Sequence, residues 1–246
     1  MKTKEITTPD AKANQTSNLN FAEMDALKHA LSLVSVAELE DTFNIPRNPE
    51  KLKLFNSSLQ NIIDMQPFKA RVPPFGILYR GRPDFMTDQL LAELKKESGQ
   101  FKSSAWPIYP NDHTQYLYRP DTADSSTVAE QLGASAEVHK LVEKYAGKVL
   151  KSYITNYIYY YKEGHCSTPH VDNVFTSVTA MIGVEHDFSN SRHSKSVCYW
   201  PHLGRYDYQL APGEISIFFG VCTLHGRTPL VEDENITSLL LSYRPI

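Results

Sequence analysis

The chain has 246 residues, 41% of them hydrophobic and 22% charged, which suits a globular protein of one large domain or two small ones. Its 25 basic and 28 acidic residues leave a net charge of −3, without the strongly basic balance of a nucleic-acid binder. No stretch holds the ~18 apolar residues that would cross a membrane. The N-terminal segment "MKTKEITTPDAKANQTSNLN" lacks the apolar core of a secretory signal, so a cytoplasmic protein with no membrane partner is expected. Cys166, Cys198 and Cys222 form no C-x-x-C pair and are odd in number, which argues for small buried thiols rather than a disulfide framework.

Taken in chain order, residues 1–19 are polar and predict a flexible tail. Residues 20–73 predict a helical extension, with Met24, Leu27, Ala30, Leu31 and Val34 at helical spacing and a second helix in "NPEKLKLFNSSLQNIIDM". From residue 74 the texture changes. "PPFGILYRGRP" predicts a strand, and "DFMTDQLLAELKKES" a helix capped by Thr87 or Asp84. Residues 101–125 predict a loop region with short strands. "STVAEQLGASAEVHKLVEKYAGKVLKSY" is the longest helical stretch, with a break near Gly133. Beyond it lie six short segments rich in β-branched and aromatic residues: "YITNYIYYY", "SVTAMIGV", "SVCYW", "YDYQL", "EISIFF" and "ITSLLLSY". Helices first and antiparallel strands after predict an α+β, mainly β chain. Its expected form is a double-stranded β-helix (jelly roll, cupin-like) over 74–246, backed by the N-terminal and central helices. Those N-terminal helices either cover the sheet or mediate a homodimer.

"CSTPHVDNVF" places His170 and Asp172 two residues apart, a spacing that on a strand points both side chains to one face. Alone, such a pair is most often a solvated strand end. His225 supplies a third ligand, because it follows a Pro-Gly turn and an apolar strand, at the start of a new strand. His186 and His193 flank the polar loop "DFSNSR" and are expected to be solvated, and His202 falls in a turn. Two imidazoles and one carboxylate leave metal positions open for a co-substrate and O2, as in the facial triad of non-haem Fe(II) enzymes. A closed zinc site would use more Cys or His.

These segments resemble the Fe(II)- and 2-oxoglutarate-dependent oxygenases. "YYYKEGHCSTPHVDN" is similar to that family's Tyr-x-x-Gly…His-x-Asp segment at Tyr161, Gly164, His170 and Asp172. "LAPGEISIFFGVCTLHGRTPL" is similar to its later segment at Pro212, Gly213, Phe218, His225, Gly226 and Pro229. The resemblance covers residues 74–246 and implies an Fe(II) enzyme that uses 2-oxoglutarate and O2 to hydroxylate, desaturate or cyclise a substrate. Retention of Asp172 makes halogenation unexpected, since halogenating members lack that carboxylate. The sequence departs from the family shortly after the distal histidine. A basic residue there commonly anchors 2-oxoglutarate, whereas this chain has "VEDENITS" around Asn235 and Ile236. Arg244 is the first candidate to replace it, then Arg227, then Arg80 or Arg82. An arginine fork grips a carboxylate through two bonds. Tyr161 and Thr237 (or Ser238) match further co-substrate positions.

The substrate is expected to be a small molecule, an amino acid or a metabolite built from one. Trp106, Tyr109, Tyr116 and Tyr118 are candidates for the cavity mouth, with Arg80 and Asn173 as further substrate contacts. Ordinary packing accounts for such aromatics equally well. Two rival readings stand beside the oxygenase: an Fe(II) oxidase that does not use 2-oxoglutarate, and a non-catalytic metal-binding jelly-roll protein.

Overall fold

The computed structural model describes residues 57, 59–65, 68–107, 117–118, 127–173, 176–186, 193–201 and 203–246. The expected tail and first N-terminal helix lie outside these residues, as do Tyr109, Tyr116 and His202. The second N-terminal helix is described at its end, where residues 59–65 are helical and bury Leu59 and Ile62.

The first strand, β1 (Ile77–Gly81), leads to α1 (Asp88–Phe101). The Thr87 hydroxyl accepts from the Leu90 N–H at 3.1 Å, so of the two expected caps Thr87 serves. Short β2 (Trp106–Pro107) and β3 (Leu117–Tyr118) precede α2 (Val128–Ala134) and α3 (Ala136–Ala146). The expected break near Gly133 falls at Ser135, whose hydroxyl caps α3 on the Val138 N–H. Helix also stops earlier than expected. Gly147 takes φ +82°, a left-handed turn that favours glycine, and residues from Val149 onward join a strand. "VLKSY" is therefore β, its neighbours in the sheet overriding a weak local helical preference.

The remaining strands are β4 (Val149–Tyr160), β5 (Ser167–His170), β6 (Val178–His186), β7 (Ser196–Trp200), β8 (Gly204–Tyr208), β9 (Ile215–Phe218), β10 (Leu224–Arg227) and β11 (Ile236–Pro245). They form two antiparallel sheets. Seven strands run in the order β1-β9-β6-β11-β4-β3-β2, and four in the order β5-β10-β7-β8.

Both faces of the larger sheet are covered. Leu239, Leu241 and Tyr243 of β11, with Tyr157 and Tyr159 of β4, belong to the main core together with Leu94 of α1, Leu132 of α2 and Val138 and Val142 of α3. The opposite face, through Asn156 and Ile158 of β4, Met181 of β6 and Ser238 and Leu240 of β11, lines a cavity closed by the smaller sheet. Two-sided burial explains why β6 is hidden along nearly its whole length. The Glu97 carboxylate ties the helical layer to this sheet. It accepts from the Val128 N–H at 2.5 Å, the Ala129 N–H at 3.0 Å and the Tyr157 hydroxyl at 2.8 Å. All three cysteines are buried free thiols.

Candidate active site

β5 and β10 pair antiparallel with His225 opposite His170. Directly opposed residues project to the same side, and the two imidazole rings stand 4.5 Å apart between centroids. β5 ends at His170, so Asp172 lies just beyond the strand rather than on it. Its N–H donates to Gly220 O at 2.9 Å, which turns the side chain back toward the histidines. Asp172 Oδ1 then sits 3.8 Å from His170 Nε2 and 3.7 Å from His225 Nε2. The ligating atoms of the three residues lie within 4.8 Å of one another.

The neighbours of each group suit it to a metal. His225 Nδ1 is 2.8 Å from Thr223 O, an acceptor only, so Nδ1 carries the proton and Nε2 presents a lone pair. Burial, reinforced by His170, pulls the His225 pKa down to about 4 against the opposing effects of Asp172 and Thr223. The ring is therefore neutral, as a ligand must be, at ordinary pH. The Thr179 hydroxyl donates to Asp172 Oδ2 at 2.7 Å, leaving Oδ1 toward the histidines. Gly220 leaves the room for this, since a Cβ there would stand 2.0 Å from Oδ2. Two imidazoles and one carboxylate on one side of a cavity fit an octahedral metal with open positions.

The cavity has a volume of about 350 Å³ and is bounded by both sheets. At the His225 side Arg227 lines it, two residues along β10 and on the same face. Arg227 is only 6% exposed. Its Nη1 donates to Ser194 Oγ at 3.2 Å and its Nη2 to Ser196 Oγ at 3.1 Å. The guanidinium stands 5.3 Å from the Tyr160 ring centroid. Among the described residues no carboxylate pairs with it. Burial pushes the Tyr160 phenol up to about 12, partly offset by Arg227, so it stays a neutral hydrogen-bonding group.

The other sequence candidates fall elsewhere. Arg244 is exposed, opposite Leu150 at the far end of β11, and does not line the cavity. Tyr161 is half-buried outside it, near Lys102 and Lys162, and its neighbour Tyr160 takes the inward position. Thr237 is buried on the face away from the cavity, while Ser238 lines it. Arg80 pairs with Glu214 at 3.7 Å, and Arg82 with Asp88. Neither Arg80 nor Arg82 lines the cavity. Asn173 is exposed at the cavity edge. Trp106 and Tyr118 fall on β2 and β3, their side chains outside the description. The histidines expected to be solvated are not. His186 ends β6 with a side chain 1% exposed, and its Nε2 lies 2.9 Å from Glu234 Oε1, a partner 48 residues away that no local pattern announces. His193 is half-buried beside it.

The fold is that of Fe/2-oxoglutarate-dependent oxygenases. The non-haem α-ketoglutarate-dependent epimerase SnoN from nogalamycin biosynthesis aligns with a TM-score of 0.58 at 16% identity, over 77% of this chain and 83% of SnoN. A Pseudomonas putida prolyl-4-hydroxylase aligns with a TM-score of 0.57 at 13% identity, over 76% of this chain and 99% of its own. A prolyl hydroxylase from Trichoplax adhaerens, solved with a hypoxia-inducible-factor peptide, gives 0.58 at 11% identity, over 80% and 94%. No family model and no curated protein matches the sequence.

Proposed function

We propose that the chain is a non-haem Fe(II)/2-oxoglutarate-dependent oxygenase that hydroxylates, desaturates or cyclises a small molecule, an amino acid or a metabolite built from one. Its sheets in this reading form a double-stranded β-helix. From β4 to β11 the chain passes between them in the order large, small, large, small, small, large, small, large. His170, Asp172 and His225 hold the iron and leave coordination positions to the keto-acid end of 2-oxoglutarate and to O2. Bound iron supplies, with these two co-substrates, the oxidising power to break a substrate C–H bond.

Arg227 carries the reading. Among the described residues no carboxylate touches this buried guanidinium directly, the Glu234 carboxylate lying one hydroxyl away through Ser194, and a ligand carboxylate in direct contact would offset the cost of burying it. It faces the cavity that holds the triad, two residues from His225. The far carboxylate of 2-oxoglutarate meets this need, gripped by the Arg227 fork with Tyr160 and Ser196 beside it. The anchor is then Arg227 rather than Arg244. A cavity of about 350 Å³ suits the co-substrate plus the reacting part of a small molecule, which enters past Asn173.

The test is the anaerobic visible spectrum of the Fe(II)-loaded protein as 2-oxoglutarate is added. A charge-transfer band is expected. Arg227→Ala should raise the concentration needed by at least about thirtyfold, the effect of removing one partner of a buried charge pair. Arg244→Ala should leave it unchanged. Bound iron with no band would favour the oxidase that does without 2-oxoglutarate, a reading motivated by the missing basic residue near Asn235. Absence of iron binding would favour the non-catalytic metal-binding protein.

A further inference from the structure

A second group of metal-capable side chains lies outside the cavity. His186 ends β6, His193 stands just before β7, and Glu234 sits in the turn between β10 and β11. Their ligating atoms lie within 4.8 Å of one another. The His186 and Glu234 side chains are 1% and 0% exposed. The two imidazoles meet edge to face, 5.9 Å between centroids. Ligands of a zinc-class ion bind at about 2.1 Å and so lie roughly 3–4 Å apart. Closing this set onto an ion needs side-chain shifts on the order of an ångström.

The backbone is shaped to deliver Glu234. Asp233 adopts φ +61°, a left-handed conformation uncommon for a residue with a side chain. The Glu234 carboxylate then accepts from the N–H of Ser194 at 3.0 Å, the N–H of Val231 at 3.1 Å and the Ser194 hydroxyl at 3.0 Å. Burial opposes ionisation here, but the hydrogen bonds from His186, Ser194 and Val231 outweigh it and hold the carboxyl at about 2. The group is an anion. A His–Glu hydrogen bond would account for His186 and Glu234 by themselves. It would not account for a second imidazole brought within ligating distance of the same carboxylate.

We propose that His186, His193 and Glu234 form a structural site for a borderline divalent cation of the zinc class, separate from the triad. Two imidazoles and a carboxylate are donors such ions accept. The ion takes the place of the proton between His186 Nε2 and Glu234 Oε1, and that proton leaves to solvent. Water completes the coordination. The site fastens the segment entering β7 to the β10–β11 turn. Ser194 Oγ, which donates to Glu234, also accepts from Arg227. The ion therefore steadies the wall of the cavity on which the proposed co-substrate anchor rests. That last consequence depends on the oxygenase reading, whereas the metal site does not.

The experiment uses the full chain, stripped of metal and titrated with Zn(II), with stoichiometry read by calorimetry and metal analysis. The double variant Asp172→Ala/His225→Ala removes the triad and should still bind one equivalent. Adding His193→Ala should weaken that equivalent by at least about tenfold, with the circular dichroism spectrum unchanged. Adding Glu234→Gln should do the same. Co(II) in the double variant should give a visible d–d band that His193→Ala abolishes. A double variant that binds no metal, or one whose binding ignores His193→Ala, overturns the proposal and leaves a hydrogen-bonded clasp. Neither result bears on whether 2-oxoglutarate binds the wild-type iron site.

Discussion

Gly220 and Thr179 fix Asp172 from two sides without touching the metal position. A Cβ at Gly220 would stand 2.0 Å from Oδ2, so the carboxylate must rotate away from Thr179 to admit it. Gly220→Ala and Thr179→Val are each expected to weaken Fe(II) binding by roughly 10–100-fold, the usual effect of disturbing a group that orients a ligand. Anaerobic Fe(II) titration measures this, and affinities within twofold of wild type would mean that Asp172 needs no such support. That His170, Asp172 and His225 converge was legible in the sequence because their residue types are rare together and their flanking turns are local. Gly220 and Thr179 were not, since their relation to Asp172 exists only through space. Arg227 lies between these cases. Its position two residues past His225 on a strand already implied a shared face, a clearer signal than the family habit that put Arg244 first.

Strand parity and position decide the other site residues. On β4 the cavity receives Ile154, Asn156, Ile158 and Tyr160, so Tyr161 turns away although it matches the family pattern. On β11 it receives Ser238 and Leu240, which excludes Thr237. Arg244 has the parity of Ser238 but lies six residues further along, roughly 20 Å at strand spacing. A register irregularity between Leu241 and Tyr243 intervenes. Such registers arise from pairing between distant segments, which is why strand existence was readable and strand facing was not. Beside its apolar packing, the helical layer is tied to the sheet by the Glu97 side chain at the α2 N-terminus. Glu97→Gln weakens the acceptor at the α2 N-terminus and at Tyr157, and should cost about 1–2 kcal/mol in chemical denaturation. A loss below about 0.5 kcal/mol would mean that α2 is held by packing through Leu132 and Ala129 alone.

At the scale of the whole molecule, ligands that bind only the folded state must stabilise it. Mn(II) with 2-oxoglutarate at a hundred times their dissociation constants should add about 2.7 kcal/mol each, or roughly 5–10 °C in Tm for a chain of this size. Asp172→Ala should abolish the metal's share, and a wild-type Tm indifferent to Mn(II) would count against the triad as a metal site. The His170–His225 pairing has a mechanical side as well. The two residues are about 55 positions apart in the chain, and the segment between them contributes β6 and β9 to one sheet and β7 and β8 to the other. An ion bonded to both is a reversible crosslink that closes this long loop, and closing a loop of such length removes much of the freedom of the open chain. In the proposed reading iron would be a clamp on the smaller sheet as well as a reagent. Stripping it should make the strands of the smaller sheet, β5, β7, β8 and β10, the first to open to a protease, while the β4–β11–β6 ladder stays shut.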